Sequence, residues 1–224
     1  MSGGEPLEIV VGERIGRVSG LLLRPPAPWA GYVLAHGAGA GMEHPFLEAV
    51  ARALTTRGVA TLRYQFPYTE AGGRRPDPPG VLHATVRAAV ARARELMPDL
   101  RLFAGGKSMG GRMTSNAAAD RPLDGVSGLI FLGFPLHPPK RPAIDRAEHL
   151  ARVTLPMLFL QGTRDDLADL ELIRQVSAGV GPRATLHVVE GADHSFAVLK
   201  RSGRTGAEVL EELADTIAAW ARSV

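Results

Sequence analysis

The chemistry is carried by Gly106-Lys107-Ser108-Met109-Gly110, which follows the apolar run LRLFAGG and precedes a stretch rich in small residues. A serine in a G-x-S-x-G turn between strand and helix sits on a strained bend that lifts its hydroxyl out of the sheet. Side chains two positions either side are expected to collide with it, so both are glycine. Gly105 and Gly111 extend the small zone and let strand and helix pack closely. The helix that follows aims free N–H groups and a positive dipole end at the site, where a developing oxyanion is stabilised. With 26 glycines the pattern can arise by chance, but its placement between strand and helix argues against that. Gly-Lys-Ser also ends a phosphate-binding P-loop. That motif needs a glycine five residues before Gly106, and Arg101 stands there, in a strand rather than a glycine-rich loop.

A serine hydroxyl needs a base. On such a scaffold the partners follow in chain order, acid and then histidine. Four histidines lie downstream: His137, His149, His187 and His194. His187 falls inside a strand. His149 has no strand end before it, and His137 precedes any candidate acid. His194, in Glu190-Gly191-Ala192-Asp193-His194, comes just past the last strand, where a loop can swing its imidazole over the sheet. For the acid, VTLPMLFLQG ends in Gly162-Thr163-Arg164-Asp165-Asp166. Asp165 fits the G-x-x-D arrangement, with Asp166 as runner-up; Asp193 reads as a turn residue. The carboxylate would hold the imidazole tautomer and stabilise the imidazolium.

Two N–H donors are needed for an oxyanion. One is expected from Met109, the residue after the nucleophile. The other is expected from the loop His36-Gly37-Ala38-Gly39-Ala40-Gly41, at Ala38 with Gly39 next. A dinucleotide fingerprint in that loop fails, because Met42 or His44 stands where its last glycine belongs. His36 reads as a structural hydrogen-bonder.

The elements that must position these residues alternate between apolar runs and stretches of helical period, the signature of a mostly parallel sheet covered by helices. LEIVV and RVSGLLLRP read as an antiparallel edge pair. GYVLAHG, VATLRYQF, LRLFAGG, GVSGLIFLGF, VTLPMLFLQG and ATLHVVEG read as further strands. Continuous apolar runs such as GLIFLGF suit strands buried on both faces. Helices are expected over HPFLEAVARALTTRG, from about Val81 to Met97, from about Met109, and from about Gly206 to Arg222, with residues 67–80 a long Pro/Gly loop.

The 224 residues suit one domain, 1–224, with no repeat or linker. The absence of cysteine rules out a disulfide framework, a Cys-based zinc site and a thiol nucleophile, and fits a reducing compartment. No cofactor or metal is expected. The start, MSGGEPLEIVVGERIG, has neither basic flank nor long apolar run, so no leader and no membrane anchor is expected, and the location reads as cytoplasmic. The net charge of +3 is nearly all scattered arginine, Arg74 and Arg75 apart, without the basic stripe of a nucleic-acid binder. Monomer and homodimer are both open.

AHGAGAGMEHPF, FPYTEAGGRRPDPP, GGKSMGGRM, GFPLHPP, LQGTRDDLAD and GADHSF together resemble the dienelactone-hydrolase-like hydrolases of the α/β-hydrolase superfamily, the KANL/Tex-like group. The resemblance covers nearly the whole chain. It implies an α/β-hydrolase fold, an eight-stranded sheet with one antiparallel strand, and a triad of Ser108, Asp165 and His194. True dienelactone hydrolases use a cysteine nucleophile, so their substrate does not carry over to this chain.

Only about residues 135–152 separate GLIFLGF from VTLPMLFLQG, too few for a cap domain, so an open, shallow site is expected. Phe66, Tyr68, Phe134, Leu136 and Phe196 follow strand ends or catalytic loops and are candidates for its walls. The reading that results is a serine hydrolase cleaving a small or medium acyl ester or thioester through acyl-Ser108. Acyl transfer with the same triad and a non-catalytic hydrolase-like scaffold are the alternatives.

Overall fold

The alternating pattern becomes a sheet of eight strands. These are β1 (Glu5–Gly12), β2 (Gly16–Leu23), β3 (Ala30–Ala35), β4 (Val59–Tyr64), β5 (Arg101–Lys107), β6 (Val126–Leu132), β7 (Met157–Arg164) and β8 (Ala184–Asp193). The structure is a computed structural model that describes residues 4–224. Residues 1–3, part of the start read as lacking a leader and of the expected domain 1–224, lie outside the described residues.

The strand order is β1-β2-β4-β3-β5-β6-β7-β8. Only β2 runs against the others: it pairs antiparallel with both β1 and β4, and all later pairs are parallel. The expected antiparallel edge pair and single reversed strand are both present. Strands β3 and β4 are buried at every position, as their unbroken apolar runs require.

Helices cover both faces. On one lie α1 (Pro45–Thr55) and α6 (Gly206–Ser223), packed with Leu34, Phe103, Ile130 and Leu160. On the other lie α3 (Pro79–Leu96), α4 (Met109–Asp120) and α5 (Leu170–Val180), over Val33, Phe131 and Phe159. Helix α1 starts on Pro45, whose fixed φ suits the first turn. Helix α6 is fixed at its start by a capping box between Thr205 and Glu208.

Three details differ from the sequence reading. The loop expected over 67–80 contains a short helix, α2 (Pro67–Glu70), and its last two residues already belong to α3. Prolines 67 and 79 both sit in first turns, where the missing N–H costs nothing, so these prolines begin helices. The segment 170–180, unassigned from the sequence, is α5, capped by the Asp169 carboxylate on the N–H groups of Glu171 and Leu172. Between β6 and β7 the only helix is a 3₁₀ segment, Asp145–Arg152, so there is no cap domain among the described residues. No helix of the described residues is long and apolar enough to cross a membrane.

Candidate active site

Ser108 joins β5 to α4 with φ 50° and ψ −117°, a left-handed value that a side chain bears only under strain. The glycines around it are required for a reason other than the one expected. A Cβ on Gly106 would lie 2.2 Å from the Ala35 carbonyl oxygen, and one on Gly110 would lie 2.5 Å from that of His36. The collision is with the neighbouring strand β3, not with the serine. Gly105 is pressed in the same way against Ile130 of β6. The elbow is therefore wedged between two strands, and only backbone fits there.

The ends of β5, β7 and β8 bring Ser108, Asp165 and His194 into one chain of hydrogen bonds. His194 Nε2 lies 2.9 Å from Ser108 Oγ, and His194 Nδ1 lies 2.7 Å from Asp165 Oδ2. A carboxylate only accepts, so Nδ1 carries the proton and Nε2 is left to accept from the serine hydroxyl. The Asp165 side chain is fully buried and accepts twice more: Gln161 Nε2 donates to Oδ2 at 2.5 Å, and the Leu167 N–H donates to Oδ1 at 2.8 Å. Gln161 is itself oriented, because its Oε1 accepts from the Phe134 N–H at 3.0 Å. Asp166, the runner-up, is exposed. Gly133 leaves the space this cluster occupies: a Cβ there would come within 3.5 Å of Lys107 Nζ, His194 Nδ1 and Asp165 Oδ2.

Lys107, the variable residue of the G-x-S-x-G turn, reaches across to donate from Nζ to the His194 carbonyl at 2.6 Å. Its ammonium also faces the Phe196 ring at 5.5 Å. Burial pushes its pKa down to about 8, against the pull of Asp165 and Asp193. Asp193, expected as a turn residue, is the last residue of β8; its Oδ1 accepts from the N–H groups of Ser195 and Ala197 in the turn that follows.

Four other histidines are structural. His36 is buried and accepts at Nε2 from the Phe66 N–H, and burial lowers its pKa. His137 Nε2 accepts from the Asp169 N–H. His187 pairs with Glu212 at 2.7 Å. His149 meets Ser115 Oγ at 2.7 Å, but Ser115 is wholly buried inside α4, so this second serine–histidine pair is a clasp between α4 and the 3₁₀ segment. Among the described residues no group of three or more His, Cys, Asp or Glu side chains is placed to hold a metal ion.

Two cavities open on Ser108. One, about 340 Å³, is lined by Ala38, His44, Phe46, Lys107, Leu167 and His194, among others. The other, about 370 Å³, lies on the α4 side and takes in Met109, Met113, Leu82, Asp77, Arg112 and Arg146. Of the expected oxyanion donors, Ala38 lines both cavities and Met109 one. Gly39 lines neither; with φ 72° it is the left-handed corner of the turn closed by Ala40 N–H to Gly37 O. Met109 opens α4, whose first N–H groups have no intrahelical partner.

The expected pocket walls need correction. Phe66, Tyr68, Phe134, Leu136 and Phe196 are all buried, and none lines either cavity. Phe66 is turned inward by its bond to His36, and Phe134 packs edge-on against Phe131 and Phe159. Phe196 stacks beneath Phe46, so Phe46 of α1 supplies the aromatic wall instead. Arg74 and Arg75 are exposed. Phe46, Arg112 and Arg146 escaped the sequence reading. Arg112 left a signal: four residues after Ser108, it shares that residue's helix face.

Residues 29–222 match the family model described as "Alpha/beta hydrolase domain". A lidless α/β serine hydrolase from Xanthomonas campestris superposes with a TM-score of 0.75 at 20% identity, over 96% of this chain and 94% of that one. A dienelactone hydrolase from Anabaena variabilis gives 0.75 at 23%, over 96% and 95%. An α/β serine hydrolase homologue from Coxiella burnetii gives 0.74 at 19%, over 96% and 98%.

Proposed function

Because the chain belongs to the α/β-hydrolase domain family, we propose that it is a serine hydrolase cleaving a carboxylic ester or thioester of a small or medium acyl substrate through acyl-Ser108. The observation that carries this reading is the unbroken relay from Asp165 through His194 to Ser108 Oγ, at 2.7 and 2.9 Å, on a strained elbow between two open cavities.

In the first half-reaction Ser108 Oγ attacks the acyl carbonyl and its proton passes to His194 Nε2. The carbonyl oxygen becomes an oxyanion, held by the N–H groups of Met109 and Ala38. Asp165, already oriented by Gln161 and Leu167, stabilises the imidazolium without taking its proton. As the tetrahedral intermediate collapses, the bond to the leaving oxygen or sulfur breaks, and His194 returns the proton to that atom. In the second half-reaction water attacks the acyl-Ser108 carbonyl and gives its proton to His194. The acid then leaves, and the proton restores the serine hydroxyl. The short stretch between β6 and β7 leaves the site without a cap, which suits substrates that dock from solvent.

The test is turnover of short-chain p-nitrophenyl esters by the wild type and by Ser108→Ala. The variant should lose on the order of a thousandfold or more in kcat while keeping its fold. Equal turnover by the two proteins would sink the proposal.

A further inference from the structure

The cavity on the α4 side of Ser108 contains two cations, Arg112 and Arg146, without partners among the described residues. Arg112 follows Ser108 by one helical turn, its N–H donating to the Ser108 carbonyl at 3.1 Å, and so shares the serine's face of α4. Arg146 enters the same cavity from the 3₁₀ segment, which the Ser115–His149 clasp holds against α4. Among the described residues neither guanidinium makes a hydrogen bond or an ion pair, and Arg112 Nε is buried with no acceptor. Other arginines of the chain are used differently. Arg57 is paired with Glu211 and Asp215, Arg204 with Glu212, and Arg87 caps backbone carbonyls of residues 117, 121 and 122.

Holding an unpaired guanidinium in a half-buried cleft is unfavourable, and a second cation beside it adds repulsion. Burial and then Arg146 lower the Arg112 pKa, as this predicts. The one acid in the lining, Asp77, ion-pairs with neither arginine, and its Oδ2 accepts from the Tyr68 N–H at 2.8 Å. The rest of the wall includes Leu82, Met113 and Pro135, which offer no competing acceptor side chain. A bound group with planar or tetrahedral anionic oxygens would satisfy both forks at once.

We propose that Arg112 and Arg146 form an anion-recognition subsite beside Ser108, and that the natural ester carries a carboxylate or phosphate group on the part that enters this cavity. The inference rests on the acyl-Ser108 reading and narrows its substrate class.

The experiment uses three anionic esters, each against its uncharged methyl ester. p-Nitrophenyl hemiadipate places a carboxylate on the acyl side, p-acetoxybenzoate places one on the leaving side, and p-acetoxyphenyl phosphate tests phosphate. The wild type should favour at least one anionic ester by about tenfold or more in kcat/KM. Arg112→Gln and Arg146→Gln, checked for folding by circular dichroism, should each abolish that preference mainly through KM, and Arg112→Lys should retain part of it. Should Arg112→Gln not fold, Arg146→Gln and Arg112→Lys decide. No preference in any pair, or a preference that these substitutions leave unmoved, overturns the subsite while the hydrolase reading stands. If no ester is turned over, that reading fails instead, and titration of Ser108→Ala with the same anionic esters still decides the subsite. Binding weakened about tenfold by adding Arg146→Gln supports it, and absence of binding overturns it.

Discussion

Asp165→Asn reverses the hydrogen bonding at the buried end of the relay while changing the side chain's shape very little. Asp165 accepts three hydrogen bonds: Leu167 N–H on Oδ1, and both His194 Nδ1 and Gln161 Nε2 on Oδ2. Asparagine accepts at one atom only. If its oxygen stays on the Leu167 N–H, its NH₂ faces the His194 N–H and the Gln161 NH₂, donors against donors. Turning the Gln161 amide would satisfy one contact and strip the Phe134 N–H of its acceptor. Moving the imidazole proton to Nε2 would satisfy the other, and the histidine could then no longer take a proton from Ser108. Each buried group left unsatisfied costs about 1–3 kcal/mol. Asp165→Asn should therefore melt lower than wild type by about 2–12 °C, at about 2–4 °C per kcal/mol for a chain of this size. With the wrong tautomer, kcat on a p-nitrophenyl ester should fall by about four orders of magnitude. The assay is steady-state hydrolysis alongside thermal denaturation. A variant that keeps more than about a tenth of wild-type kcat would refute the account of how this imidazole is oriented.

Gly110→Ala should cost several kcal/mol or prevent folding, since its Cβ would lie 2.5 Å from a backbone oxygen that cannot move away; thermal denaturation checks it, and a variant as stable as wild type refutes it. Phe46→Ala removes an aromatic wall of the 340 Å³ cavity and should shift the best p-nitrophenyl ester toward longer acyl chains, read from kcat/KM across a chain-length series. His149 should make the protein acid-sensitive. Burial, with Arg112 and Arg152 nearby, lowers its folded pKa to about 4. The folded protein then binds fewer protons than the unfolded chain between that value and about 6.5, so stability falls as pH falls through this window. Melting temperatures from pH 7 to 4 should drop less steeply for His149→Gln.

The residues of the Ser108–His194–Asp165 relay were legible in the sequence because each lies where a strand must end. Ser108 is marked by glycines, Asp165 by Gly162, and His194 by the end of the last apolar run. The sheet was legible for the same reason: its buried strands are unbroken apolar runs. The pocket was not. Whether Phe66 or Phe134 faces the site depends on how the chain turns after the strand, and that turn is set by distant partners, His36 and Gln161, through single hydrogen bonds. Arg146 reaches the site on a segment that a histidine and a serine 34 positions apart clasp to α4. Such long-range pairings leave no local periodicity.

The central claim, that Ser108 is the nucleophile fired by His194 and Asp165, is tested most directly by reaction with a fluorophosphonate probe and peptide mass mapping. The wild type should carry one adduct, on Ser108; Ser108→Ala should carry none, and His194→Ala should label far more slowly. An unlabelled wild type, or an adduct that persists in Ser108→Ala, would contradict it.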